Sequence, residues 1–211
     1  FYMEYQTRAQ SSPAIDAGLR QYMLSVYNYM ASGLALTGLV AYMLFQATAV
    51  MGPTGEIVGL TNLGVTLYTG PMMWVVALAP LGIVMYMSFG IQGMSASRAQ
   101  TMFWVFAFLM GLSLSTIFLT YTGASIARVF FITASTFGAM SIYGYTTKRD
   151  LTNFGSFLFM GLIGIIIASI VNIFMQSPAL YYGISILGVL IFVGLTAYDT
   201  QKIKNMYMAY D

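Results

Sequence analysis

The sequence predicts an all-α fold, a polytopic transmembrane helix bundle with six spans. Three observations carry that expectation. Of 211 residues 59% are hydrophobic, and only 8 Lys or Arg and 6 Asp or Glu are charged. At 7% charged, against the roughly 25% usual for a soluble domain, the chain cannot cover a water-facing surface. Six separate stretches each supply the apolar length, about 20 residues, that a helix needs to cross the hydrocarbon core. Finally, continuous runs such as Leu162 to Ile167 do not alternate, which excludes the strands of a β-barrel.

The six spans follow in order. The first runs from Val26 to Val50, the second from Met72 to Ile91 and the third from Met102 to Thr120. Val129 to Tyr145, Phe154 to Met175 and Leu180 to Tyr198 complete the set. Before the first span, Ser11, Ser12 and Pro13 read as a helix start, with Ser12 as cap and Pro13 in the first turn. Ala14 to Tyr22, carrying Asp16 and Arg20, is expected at the membrane interface. The polar lead and the length of the first apolar run argue against a cleavable signal peptide. Gly52 to Pro71 reads as a longer loop rich in Gly and Thr, with Glu56 as its only charge. The expected organisation is therefore an N-terminal cytoplasmic or interfacial segment (1–25), one transmembrane domain (26–200) and a tail (201–211).

Orientation follows from Lys and Arg. With the N-terminus in the cytoplasm, Arg8, Arg20, Arg98, Lys148, Arg149, Lys202 and Lys204 lie inside and Arg128 alone lies outside. The positive-inside rule favours that arrangement, with both ends of the chain cytoplasmic. Arg128 is read as snorkelling to the outer headgroups.

Composition also removes function classes. Without Cys or His, disulfide scaffolds and the usual zinc, haem-thiolate and thiol chemistries lack their ligands. A net charge of +2 without a basic cluster argues against nucleic acid. No phosphate-cradling Gly loop, catalytic triad or His acid–base pair can be assembled, so no enzyme and no cofactor are expected. The 17 Met are scattered through spans and tails and are read as packing residues.

Ionisable groups near the membrane are where function is sought. Asp199 follows an uncharged stretch of span and opens the run Asp199-Thr200-Gln201-Lys202, which continues the same helix towards water. It is either a functional carboxylate or an interfacial Asp paired with Lys202 or Lys204. Asn172 shares a helical face with Gly161, Gly164 and Ala168, and small residues on one face admit a neighbouring helix. Asn172 thus points to an interhelical contact or a polar pathway. Ser113, Ser115 and Thr116 are weaker pathway candidates, since their hydroxyls can bond to carbonyls one turn back.

The segment Gly194-Leu-Thr-Ala-Tyr-Asp-Thr-Gln-Lys-Ile203 closely resembles the late-span signature of the Bax inhibitor-1 family, the transmembrane Bax-inhibitor-motif proteins. Ile15-Asp-Ala-Gly-Leu-Arg-Gln-Tyr-Met23 and Val26-Tyr-Asn-Tyr-Met30 resemble its bacterial members. So do Phe103-Trp-Val-Phe106, Met110-Gly-Leu-Ser-Leu-Ser115 and Tyr143-Gly-Tyr-Thr-Thr-Lys-Arg-Asp150. The resemblance implies a bacterial inner-membrane protein of seven spans, acting as a pH-sensitive calcium leak channel. It implies an aspartate pair, one in the sixth span and one in the seventh, with Asp199 as the first member and a possible calcium-facing oxygen donor. The second member has no counterpart here, which implies trimmed ends and a seventh span after Asp211. Two such carboxylates would titrate as one unit and could switch near physiological pH without any His. From a different class, some bacterial relatives are associated with a membrane-bound quality-control protease, which implies a non-conducting modulator as the alternative. The expected partners are therefore the lipid bilayer, calcium ions and, under the alternative, that protease.

Overall fold

A computed structural model describes residues 13–210 of the chain. The described residues are helical apart from one short hairpin and the connecting turns. Among the described residues eight α-helices and two strands follow in order: α1 (Pro13–Thr48), β1 (Ala49–Met51), β2 (Ile57–Leu60), α2 (Asn62–Tyr68), α3 (Gly70–Gly90), α4 (Ala96–Leu114), α5 (Ile117–Thr120), α6 (Gly123–Thr146), α7 (Thr152–Met175) and α8 (Pro178–Tyr210), with a short 3-10 turn at Ile91–Gly93. Six helical segments among the described residues are long and apolar enough to cross a membrane: Ala17–Thr48, Gly70–Gly93, Ala96–Thr120, Gly123–Thr146, Thr152–Met175 and Pro178–Ala209. They correspond one to one with the six expected spans.

Two helices overrun the apolar stretches that announce them. α1 begins at Pro13, where the proline's missing N–H costs nothing at a helix start. It takes in Ala14 to Tyr22 without a break, so the segment expected at the interface is a helical extension of the first span. The proposed cap, Ser12, lies outside the described residues. α8 likewise continues from Tyr198 through Asp199 and Lys204 to Tyr210. At 1.5 Å per residue its 33 residues span about 50 Å, well beyond a hydrocarbon core of about 30 Å.

The expected loop Gly52 to Pro71 is largely ordered, which corrects that reading. β1 and β2 form an antiparallel hairpin with Ala49 opposite Leu60, Val50 opposite Gly59 and Met51 opposite Ile57. Gly55 supplies the positive φ (83°) that turns the chain. α2 follows, capped by the Thr61 hydroxyl, which accepts from Gly64 N at 3.2 Å. Gly64 has no room for a side chain, since a Cβ there would sit 2.5 Å from the Thr48 carbonyl oxygen.

Packing divides the chain into two units. One comprises Ser25–Arg128, in which α3 packs on α4 and the end of α1 meets α2. Thr37 donates its hydroxyl to the Ala107 carbonyl at 2.8 Å, joining α1 to α4 through a backbone group. Gly111 lies against Thr37 and Val40, whose atoms would be 2.7 Å from a Cβ. The other unit comprises residues 13–24 with 129–210, and its main packing is α7 on α8. Gly155 accepts the Tyr198 ring, Gly194 accepts Leu158 and Phe154, and Gly144 brings α6 onto the α8 backbone at Ala197.

Candidate functional site

The site is built by α8 and by what α8 holds. α7 ends where Gln176 takes the left-handed conformation (φ 49°), with its N–H bonded to the Asn172 carbonyl at 2.8 Å. The Asn172 side-chain oxygen then accepts from Ser177 N at 3.0 Å, and Pro178 opens α8. Asn172 therefore closes the turn between the fifth and sixth spans. The small-residue face on which it lies is only partly used. Gly161 meets Ile191, whereas a Cβ at Gly164 would meet nothing within 4 Å.

At its far end α8 fixes the connection between α6 and α7. The Gln201 amide is used at both atoms: Oε1 accepts from Leu151 N at 2.8 Å, and Nε2 donates to the Arg149 carbonyl at 2.7 Å. Gln201 and Leu151 are both buried. One turn on, Lys204 Nζ donates to the Tyr145 carbonyl at 2.8 Å and lies over the Tyr145 ring. A cation on the last turn of α6 suits the negative end of the helix dipole. Asp150 completes the loop by accepting from Thr152 N at 2.9 Å and from the Thr152 hydroxyl at 2.6 Å. Those bonds, the hydroxyl first, hold its carboxyl below the usual carboxylate range.

Asp199 stands among these anchored residues and is itself exposed. A cleft of about 610 Å³ lies between α7 and α8, with Phe159, Leu162 and Leu195 as apolar wall and Ser156, Asp199 and Lys202 as polar wall. Lys202, one turn along α8, is the charge that acts on Asp199, and it lies over the Tyr198 ring. Among the described residues the Asp199 carboxylate accepts no hydrogen bond, and no group of three or more acidic side chains gathers to hold a metal ion.

The hydroxyl candidates lie in the other unit, and the hydroxyls of Ser115 and Thr116 are bonded. Ser115 is fully buried at the break between α4 and α5, and its hydroxyl donates to the Leu112 carbonyl at 2.6 Å. Tyr68 lies 2.7 Å from the Ser115 oxygen. Since the Ser115 proton is already directed at Leu112, Tyr68 is the donor of that pair. The Thr48 hydroxyl, also fully buried, donates to the Leu44 carbonyl at 2.7 Å and lies 3.3 Å from the Tyr68 oxygen. Thr116 donates to the Ser113 carbonyl at 3.2 Å, the one-turn-back bond expected of it. Ser113 contributes that carbonyl. Tyr68 thus ties α2 to the ends of α1 and α4. Tyr68→Phe is expected to destabilise that unit by about 1 kcal/mol, read as a lower unfolding temperature in detergent. In a double-mutant cycle with Ser115→Ala the two losses should not add.

Reasoning from sequence did not single out Gln201, Tyr68 or Thr48. Each is an ordinary polar residue near a span end, and its importance lies in partners far along the chain.

The family described as inhibitor of apoptosis-promoting Bax1 matches residues 19–211. A Rickettsia prowazekii protein is 48% identical over 98% of this chain and 82% of its own length. A Caulobacter vibrioides protein is 47% identical over 94% of this chain and 80% of its own. The inner membrane protein YbhL of Escherichia coli K12 is 45% identical over 97% of this chain and 82% of its own. No solved structure matches the chain.

Proposed function

The chain belongs to the Bax inhibitor-1 family, and from that premise we propose that it is a pH-sensitive calcium leak channel of a bacterial inner membrane. Asp199 is one member of the aspartate pair that serves as its sensor, since two coupled carboxylates can switch near physiological pH. The observation that carries this reading is the Asp199 carboxylate itself, exposed on the wall of a cleft and without a hydrogen bond among the described residues. Its neighbours Ala197, Thr200 and Gln201 are buried, and Gln201 is fixed to the α6–α7 loop. A carboxylate whose oxygens are uncommitted can offer them to a passing divalent cation or take up a proton. Anchoring on either side keeps that choice from being absorbed by helix movement.

Inner-membrane location is supported by the relative YbhL, and a cytoplasmic N-terminus by seven basic residues against one. Under that orientation Asp199 lies at the cytoplasmic mouth. The test is calcium flux into liposomes holding the full-length protein, at mildly acidic and mildly alkaline pH, beside Asp199→Asn. The parent is expected to leak at rates that differ between the two conditions, and Asp199→Asn to leak equally at both. Flux no greater than that of empty liposomes at either pH overturns the reading.

A further inference from the structure

Residues 49–69 join the first two spans, and their composition is at odds with a water-exposed loop. β1 reads Ala-Val-Met and β2 reads Ile-Val-Gly-Leu, without one polar residue. A hairpin with one face on protein and the other in water alternates apolar and polar side chains. Here the pairing puts Ala49 and Leu60 on one face and Val50 and Gly59 on the other, so both faces are apolar. Only Ala49 is buried, while Val50, Met51 and Ile57 are exposed and Val58 is 60% exposed. Leu63 and Val65 of α2 are exposed as well.

The segment cannot leave the layer in which the first span ends. Thr61 N donates to the Thr48 carbonyl at 2.9 Å, and the Thr61 hydroxyl to the Ala47 carbonyl at 3.0 Å. From that clamp the three residues of β1 reach about 10 Å. Two physical demands then fix the depth. A two-stranded sheet has two open edges, whose N–H and C=O groups need water, so the hydrocarbon core is excluded. Exposed apolar side chains on both faces of the hairpin are unfavourable in bulk water. The boundary between headgroups and acyl chains meets both demands. Glu56 marks the wet end. The Thr54 hydroxyl, followed by its own backbone N–H, holds its fully exposed carboxyl below the usual range, so it stays ionised at the turn.

We propose that residues 49–69 are a lipid-binding surface element, with the bilayer as partner: the hairpin strands lie in the headgroup–acyl boundary and the Gly52–Glu56 turn points to water. Residues 1–211 contain no Cys, so once any Cys outside them is replaced by Ser, Val50→Cys, Val58→Cys and Thr54→Cys each give a single attachment point for a nitroxide. The labelled full-length protein is placed in phosphatidylcholine–phosphatidylglycerol vesicles. Relaxation by oxygen, which concentrates in lipid, is compared with relaxation by a neutral nickel chelate, which concentrates in water. Labels at positions 50 and 58 are expected to favour oxygen severalfold, and the label at 54 to favour the chelate. A chelate preference at all three positions puts the hairpin in water and overturns the proposal. Protection from both reagents at 50 and 58 means a protein cover, such as a second copy of the chain, and also overturns it. Should one strand variant fail to fold, the other decides.

Discussion

Gly144→Ala is expected to unfold at a distinctly lower temperature than the parent, while Gly138→Ala, on the same helix, melts at or above it. The two glycines differ in what a methyl group would meet. At Gly138 there is nothing within 4 Å. There the substitution gains the helix propensity that alanine holds over glycine, up to about 1 kcal/mol. At Gly144 the methyl group would run into the Ala197 carbonyl oxygen, with the Ala197 Cα only 3.0 Å away. Those are backbone atoms inside α8, so no rotamer change relieves the clash. α6 and α8 must separate, at a cost of about 2–3 kcal/mol. Ala197 lies two residues before Asp199 on the same helix, so the displacement reaches the cleft. Under the leak reading, Gly144→Ala also alters the pH profile of flux. Equal melting temperatures for the two variants would show that α6 and α8 are not in contact at this point.

Gln201→Leu is the second large effect. Leucine matches glutamine closely in size but supplies neither bond to the loop. The Leu151 N–H is left without its partner in a buried setting, and the Arg149 carbonyl loses its donor. Each unsatisfied group costs about 1–3 kcal/mol, so a loss of about 2–4 kcal/mol is expected for the variant. The direct reading is hydrogen exchange at the Leu151 amide, which should speed up at least tenfold while amides in the middle of α7 keep their rates. Gln201→Glu separates the two bonds. Its carboxylate still accepts from Leu151 N but cannot donate to the Arg149 carbonyl, so its exchange rate should fall between those of the parent and the leucine variant. Unchanged exchange in Gln201→Leu would mean that the loop is held by Lys204 and Asp150 alone.

These effects show where sequence reasoning reached its end. All six spans were legible, because each is announced by its own run of apolar residues. Helix ends were less so. Hydropathy marks the part of a helix that lipid can surround, and α1 and α8 continue as helices past it, through Arg20 and through Lys204. The hairpin was read as loop because strands of three and four residues, apolar on both faces, lack the alternation by which strands are recognised. In the small-residue stripe of α7, spacing put Gly161 and Gly164 on one face, yet only Gly161 has a neighbour. Among α6, α7 and α8, close approaches of helix to helix fall at Gly155, Gly194 and Gly144.

The candidate site divides in the same way. Asp199 was legible as a charge at the edge of an apolar run, and Ser115 and Thr116 as hydroxyls inside one. That Asp199 is uncommitted and Ser115 is bonded to Tyr68 was not legible. A membrane protein, the six spans of these residues and a carboxylate at the edge of the sixth were determined by the sequence alone, since the free energy of burying an apolar helix in lipid depends on the residues within that helix. Only the tertiary structure decided which polar groups are satisfied and which glycines are contacts. Those depend on geometry between partners 47 residues apart for Tyr68 and Ser115, 50 for Leu151 and Gln201, and 59 for Tyr145 and Lys204. A hydrogen bond or a van der Waals clash is settled within about an ångström, and no local pattern specifies separations across such lengths of chain to that precision.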